Sequence, residues 1–125
     1  MAIDVRIVQA RDFIRTTANG DLDVEVSKKL MERTAAEIKR TSLQHVLVDT
    51  RQAQANWSTT TLYELATVYV RDPDLAHAKV AILTRHERID KARFMTLVAN
   101  SKGAHAMAFE EFEDAIDWLV MGTRS

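Results

Sequence analysis

The chain has 125 residues and no cysteine, so we expect one domain over residues 1–125, and disulfides, zinc–thiolate sites and thiol nucleophiles are excluded. Seventeen basic and eighteen acidic side chains give a formal net charge of −1, which lacks the basic excess of a nucleic-acid-binding domain and predicts no nucleic acid partner. No apolar run reaches the roughly 18 residues of a membrane span, and Asp4 and Arg6 stand where a signal peptide would be apolar, so we expect a cytoplasmic location and no membrane span.

The first segment predicts two short strands. Apolar and polar residues alternate in 5–8 and again in 13–17, which is the period of a strand with one buried face. The stretch 18–21 contains Asn-Gly, a pair that favours positive φ, so we expect a break in the chain there.

A strong helix follows this break. Its apolar and small residues recur at the spacing of one helix face: Val26, Leu30, Met31, Thr34, Ala35 and Ile38. That periodicity is typical of a helix packed on a core. Asp21 or Asp23 can cap its start by accepting backbone N–H bonds.

The rest of the chain alternates short apolar runs with helical patterns. The strands are expected at 45–49, 79–83 and 104–109, and the helices contain 62–69, 89–100 and 110–121. Pro73 limits the first of these helices and Gly103 ends the second. A polar loop, 50–57, links the first strand to its helix.

The element order ββαβαβαβα predicts the fold class. Strands that alternate with helices need right-handed crossovers, which produce a parallel sheet covered by helices. We therefore expect an α/β fold with a mixed, mostly parallel five-stranded sheet, in which the initial strand pair forms an antiparallel edge.

Three local patterns in this order resemble a known family. They are the helix after Asn19-Gly20-Asp21, the strand Val46-Leu47-Val48-Asp49 with Thr50-Arg51 behind it, and the ending Phe109-Glu110-Glu111-Phe112-Glu113-Asp114-Ala115-Ile116-Asp117-Trp118-Leu119. Over nearly the whole chain, the sequence resembles the SpoIIAA-like proteins of the STAS superfamily.

The resemblance implies a small, non-catalytic regulatory module. Anti-sigma-factor antagonists of this superfamily bind a partner kinase and are phosphorylated on serine or threonine at the start of the helix after the third strand. Ser58 and Thr59 match that position, but the flanking aspartate and glycine of the family motif are missing, and Trp57 stands where a small residue is usual. Other SpoIIAA-like proteins also lack the motif, and for them a related fold implies a lipid or small-ligand role.

The hydroxyl-rich segment 58–61 has two interpretations. Free backbone N–H groups at a helix start stabilise an anion, so Ser58 or Thr59 is a candidate phosphorylation or anion site. The same residues also suit simple capping, and Thr61 with Glu64 fits a capping box.

Charged residues follow two of the predicted strands. Asp49 and Arg51 come after one strand, and Arg85 and His86 after the next. Open α/β sheets place ligand crevices at this carboxyl edge, so these four residues are candidates for partner or ligand binding. Arg51 would either hold an anionic ligand or pair with Asp49. Positive charge continues along the following helix in Arg88, Lys91 and Arg93, which we interpret as a solvated helix start.

Trp57 is a tryptophan in a polar loop. In one interpretation it binds, as the wall of a ligand pocket or as a hot spot for a partner. In the other it folds back as a lid on the core. Both interpretations stay open.

Signatures of metal sites and catalysis are missing. The four histidines are scattered and none has a supporting ligand at helical spacing. The sequence contains no phosphate loop, nucleophile elbow or zinc-protease motif. We therefore predict no metal, no cofactor and no enzyme; catalysis would require Asp49, Arg51 and His86 to converge on a cleft.

Two functional hypotheses remain. The first is a regulatory module that binds a protein partner, such as an anti-sigma-like kinase, through residues 49–61. The second is a carrier or sensor of a small amphipathic or anionic molecule, held near Trp57, Arg51 and Arg85. The sequence is also compatible with a homodimer formed through sheet edges, and it does not determine the oligomeric state.

Overall fold

A computed structural model describes residues 2–8 and 13–120. The strands are β1 (Ala2–Val8), β2 (Phe13–Asp21), β3 (His45–Asp49), β4 (Ala53–Gln54), β5 (Lys79–Leu83) and β6 (His105–Phe109). The helices are α1 (Val24–Thr41), α2 (Thr59–Arg71), α3 (Pro73–His77), α4 (Ile89–Ser101) and α5 (Phe112–Val120), and a 3₁₀ turn spans His86–Arg88.

Five strands form the main sheet, in the order β1-β2-β3-β5-β6. β1 runs antiparallel to β2, and the other neighbours are parallel. This confirms the predicted mixed, mostly parallel sheet with an antiparallel edge pair. The predicted turn between the first two strands falls on 9–12, outside the described residues.

The predicted break at 18–21 is wrong, because β2 continues to Asp21. Gly20 does adopt a positive φ of 74°. The strand still continues, because the short strand β4 pairs with its end, placing Gly20 opposite Ala53 and Asp21 opposite Gln54. A backbone partner from a distant loop therefore overrides the local turn signal. Helix α1 begins only after Asp23, whose carboxylate caps it by accepting from the Val26 N–H at 2.8 Å.

The sheet separates two apolar layers, since side chains alternate between the faces of a strand. On one face, Ile14, Val46 and Val80 pack under α1, α2, α3 and α4. On the other face, a smaller cluster that includes Leu47 and Leu83 packs under α5. No helix within the described ranges is long and apolar enough to cross a membrane.

Candidate functional site

A cavity of about 110 Å³ lies between the sheet and helices α1, α2 and α4. Its walls are almost entirely apolar. The lining side chains from the helices and loops include Leu30, Met31, Ala55, Trp57, Leu62, Leu65, Tyr69, Leu75, Ala92 and Met95. The cavity is thus a gap in the larger of the two apolar layers.

Strand alternation and helix periodicity together form its walls. Every second residue of β3 and its continuation lines it, namely Val46, Val48 and Thr50. The corresponding residues of β5 and its continuation are Val80, Ile82 and Thr84. The lining residues span four residues of each strand, a length of about 13 Å. In α2 they span the seven residues from Leu62 to Tyr69, a length of about 10 Å. The cavity is therefore elongated along the strands. At their carboxyl ends it adjoins an open polar groove, with which it shares Ala55, Arg88 and Lys91, and we call this end its mouth.

Trp57 lines the cavity near its mouth. Its indole is partly buried against the apolar layer, and Nε1 donates a hydrogen bond to the Leu22 carbonyl oxygen at 2.9 Å. The bond joins the loop after β4 to the turn that precedes α1. Trp57 therefore both packs on the core and lines the cavity, so the two structural interpretations of this residue are compatible.

Two cations stand at the same end. Arg88 and Lys91 line the cavity, and they also line a polar groove outside it together with Arg85 and Glu87. Arg88 Nη2 donates to the Thr50 carbonyl oxygen at 2.8 Å, and Lys91 Nζ donates to the Trp57 carbonyl oxygen at 2.9 Å.

Neither cation has a salt bridge to a carboxylate in the described part of the chain. Arg85, in contrast, is paired with Glu87 at 2.7 Å. Burial and the neighbouring charge of Arg85 lower the pKa of Arg88 from its usual value, and the attraction of the nearby Glu87 carboxylate only partly offsets them.

Two hydroxyls in the cavity wall lack hydrogen-bond partners. Ser27 Oγ and Tyr69 Oη are both buried with no partner among the described residues. Burial raises the pKa of the Tyr69 hydroxyl, so it is neutral at physiological pH. Thr34, also in the wall, is satisfied, since its hydroxyl donates to the Leu30 carbonyl oxygen at 2.8 Å. Buried polar groups without partners are rare in folded proteins.

Asp49 and Arg51 lie on the opposite face of the sheet. Asp49 is buried and accepts hydrogen bonds from the guanidinium groups of Arg51, at 3.0 and 3.1 Å, and Arg15, at 3.2 Å. Burial opposes the charged form of Asp49, but the hydrogen bonds from both arginines and the charge of Arg51 outweigh it and lower its pKa. The guanidinium of Arg15 also stacks on the Phe112 ring, 5.6 Å from its centroid. Arg51 thus takes the pairing role of its two predicted alternatives, and the cluster fastens α5 to the sheet.

Arg85 and His86 are exposed beside the groove. Arg85 pairs with Glu87, and His86 Nδ1 lies 2.8 Å from Glu110 Oε1. Neither side chain lines the cavity. The predicted set of site residues is therefore divided: Trp57 lies at the cavity, Arg85 in the groove, and Asp49 and Arg51 across the sheet.

Ser58 caps α2. Its Oγ accepts from the Thr61 N–H at 3.1 Å. The predicted Thr61–Glu64 capping box is wrong because the helix begins three residues earlier, and Glu64 instead pairs with Lys28 at 3.3 Å. Ser58 and Thr59 are both exposed, so their hydroxyls are accessible.

Arg88 and Lys91 are not among the candidate residues predicted from the sequence, because they lie in a segment predicted to be a solvated helix start. The missed signal is the spacing of Arg88, Lys91, Ala92 and Met95, at i, i+3, i+4 and i+7, which places two cations on the face that carries core residues. The described residues contain no group of three or more histidine or acidic side chains that could hold a metal ion.

Comparison with solved structures identifies the fold. The chain superimposes on an anti-sigma factor antagonist, SpoIIAA in its unphosphorylated form, with a TM-score of 0.60 and 14% identity, over 93% of this chain and 94% of that one. An uncharacterized DUF3478-family protein from Shewanella loihica PV-4, which has a SpoIIAA-like fold, aligns with a TM-score of 0.57 and 20% identity, over 94% and 92% of the two chains. No family model and no curated protein matches the sequence. The chain therefore has the SpoIIAA-like fold that the sequence analysis predicted.

Proposed function

We propose that this chain, with its SpoIIAA-like fold, is a non-catalytic binding domain that holds a small, mainly apolar molecule in the cavity beneath Trp57. The observation that carries the proposal is the cavity of about 110 Å³ between the sheet and three helices. An engineered apolar cavity of about 150 Å³ is large enough to bind benzene. At about 110 Å³ the cavity of this chain is smaller, and a movement of the Trp57 loop would widen it for a larger ligand.

The energetics of packing support a ligand. Cavities in protein cores cost about 24 cal/mol per Å³, so an empty cavity of about 110 Å³ corresponds to about 2–3 kcal/mol of lost packing. An apolar ligand restores these contacts and stabilises the folded protein in proportion to its occupancy. The Trp57 loop would then report occupancy, which suits a sensor or carrier.

Binding is tested with octanol, a neutral probe of the cavity. The protein contains two tryptophans, Trp57 and Trp118, and Trp118 packs near Phe109 on the other face. In a Trp118→Phe background, fluorescence therefore reports Trp57 alone, and octanol is expected to change its emission in a saturable way. Native mass spectrometry of freshly purified protein would show in parallel whether a ligand is retained.

A pair of alanine substitutions provides the control. Ala92 lines the cavity, whereas Ala36 is exposed on α1. Ala92→Phe is expected to fill the cavity and abolish octanol binding, and Ala36→Phe is expected to leave it unchanged. Equal octanol binding by both variants, or no binding by the parent protein, would refute the proposal.

A second candidate function is binding of a regulatory protein partner through residues 49–61 and the start of α2. Two observations favour it: Ser58 and Thr59 are exposed at a helix start, and the fold is shared with an anti-sigma factor antagonist. A phosphate at either hydroxyl would lie at the positive end of the α2 dipole. The partner would be an anti-sigma-like kinase.

Phosphorylation is tested in the native host. Mass spectrometry of the protein isolated from cells is expected to locate a phosphate on Ser58 or Thr59. The double variant Ser58→Ala/Thr59→Ala should lose it, whereas Thr60→Ala, at an equally exposed position, should retain it. Absence of phosphate under all growth conditions, with Ser58→Asp and Thr59→Asp behaving as the parent, would count against the switch.

A further inference from the structure

The cavity has polar groups at both of its ends. Helix amino termini and strand carboxyl termini meet at one edge of such a sheet. Ser27, three residues into α1, therefore lies at the same end as Arg88 and Lys91. Tyr69, near the end of α2, lies about 10 Å deeper, two helical turns below Leu62.

The mouth offers donors and net positive charge. The groups of Arg88 and Lys91 are each held at the opening by one backbone carbonyl, that of Thr50 and of Trp57 respectively. A guanidinium has five N–H donors and an ammonium has three, so both cations keep donors for an anion. The buried, unpartnered hydroxyl of Ser27 is a further donor at this end.

The deep end offers one neutral hydroxyl. Tyr69 is only 2% exposed, and its Oη has no partner among the described residues. Leaving such a group unsatisfied is unfavourable, whereas a phenylalanine at this position would avoid the cost. The hydroxyl is therefore suited to a ligand oxygen that reaches the closed end of the cavity.

We propose that the ligand is a small amphipathic anion with polar groups at both ends: a carboxylate or similar anion held by Arg88 and Lys91, an apolar middle, and a hydroxyl or carbonyl oxygen that hydrogen-bonds to Tyr69. This inference rests on the proposed ligand-binding function of the cavity. It adds charge and polarity requirements that an apolar cavity alone does not impose.

The charge requirement is tested by calorimetric titration with octanol and octanoate. Octanoate is expected to bind the parent protein about tenfold more tightly, because charge-assisted hydrogen bonds are the stronger ones. The double variant Arg88→Gln/Lys91→Gln should lose this preference while still binding octanol, which shows that its cavity is intact. Arg93→Gln, on the same helix and outside the cavity wall, should retain the preference.

The polarity requirement is tested by adding a terminal hydroxyl to the probe. ω-Hydroxyoctanoate is expected to bind the parent several-fold more tightly than octanoate, because it satisfies Tyr69. Tyr69→Phe should abolish that difference, whereas Tyr63→Phe, at an exposed tyrosine, should not.

The outcomes distinguish this inference from the function on which it rests. Equal binding of octanol and octanoate by the parent protein would overturn the anion site and leave the cavity function standing. An unchanged preference for ω-hydroxyoctanoate in Tyr69→Phe would overturn the deep contact. Failure of all three probes to bind would refute the ligand-binding function itself.

Discussion

The indole Nε1 of Trp57 donates a hydrogen bond to the carbonyl oxygen of Leu22, 2.9 Å away and 35 residues earlier in the chain. This bond holds the loop after β4 against the turn that leads into α1. It therefore holds Trp57, a residue of the cavity wall, next to the helix that supplies another part of that wall.

Trp57→Phe is expected to lower the free energy of unfolding. The substitution keeps an aromatic ring but removes the N–H donor, and a hydrogen bond of this kind contributes about 1 kcal/mol. Urea unfolding followed by circular dichroism measures the change. Trp118→Phe is the matched control, because Trp118 is also a partly buried tryptophan, and the hydrogen bond described for it is accepted by its carbonyl oxygen, from Lys79 Nζ. Equal losses in the two variants would show that ring size, and not the hydrogen bond, accounts for the effect.

Asp49→Asn is expected to destabilise the protein by about 1–2 kcal/mol at pH 7, since Arg15 and Arg51 lose their carboxylate but stay partly solvated. The effect depends on pH. Because the pKa of Asp49 is lowered in the folded state, its contribution is fully present above the unfolded pKa of about 3.9 and is lost as the pH falls through the folded pKa. The two proteins should therefore approach each other in stability progressively as the pH falls below about 4.

Urea unfolding of both proteins at neutral and acidic pH measures this convergence. Asp90→Asn is the control, because the Asp90 side chain is 96% exposed and lies 4.0 Å from Arg93. A constant difference between Asp49→Asn and the parent across this pH range would contradict the assigned ion pair.

Tyr69→Phe is expected to leave the ligand-free protein as stable as the parent, or more stable by up to about 1 kcal/mol. The reason is that the substitution removes a buried hydroxyl that has no partner and leaves the apolar ring in place. Thermal unfolding of both proteins, after removal of any bound ligand, tests this prediction. A clear loss of stability would reveal that the hydroxyl has an intramolecular partner and is not reserved for a ligand.

Ser58→Ala is expected to cost about 1 kcal/mol of stability, because it removes the side chain that accepts the Thr61 N–H. Ser58→Asp should be nearly neutral, since aspartate caps helices as well as serine does. Chemical denaturation compares the two variants with Thr60→Ala, an exposed position within α2. If Ser58→Asp destabilises the protein as much as Ser58→Ala, a phosphate at this position would disturb α2 and not stabilise it.

The predictability of the site varied with the range of the interactions involved. Helix α1 follows from its periodicity and the Asp23 cap, which are local signals within one segment. The continuation of β2 through Gly20 did not, because the partner that holds it, β4, lies more than thirty residues later. The face on which Asp49 lies could have been predicted. Successive side chains along a strand point to opposite faces of the sheet, so Asp49 and Thr50 lie on different faces.

Local sequence signals were sufficient to predict the order of most helices and strands, the mostly parallel sheet and the placement of Trp57 in a polar loop. These depend on hydrophobic periodicity, chain breakers and composition, which act over a few residues. The folded structure was needed to show that Arg88, Lys91 and Tyr69 border one cavity. It was also needed to show that Asp49, on the opposite face of the sheet, is paired with two arginines. Such neighbours are brought together by packing between segments far apart in the chain, and a cavity is a property of that packing, which no single segment encodes.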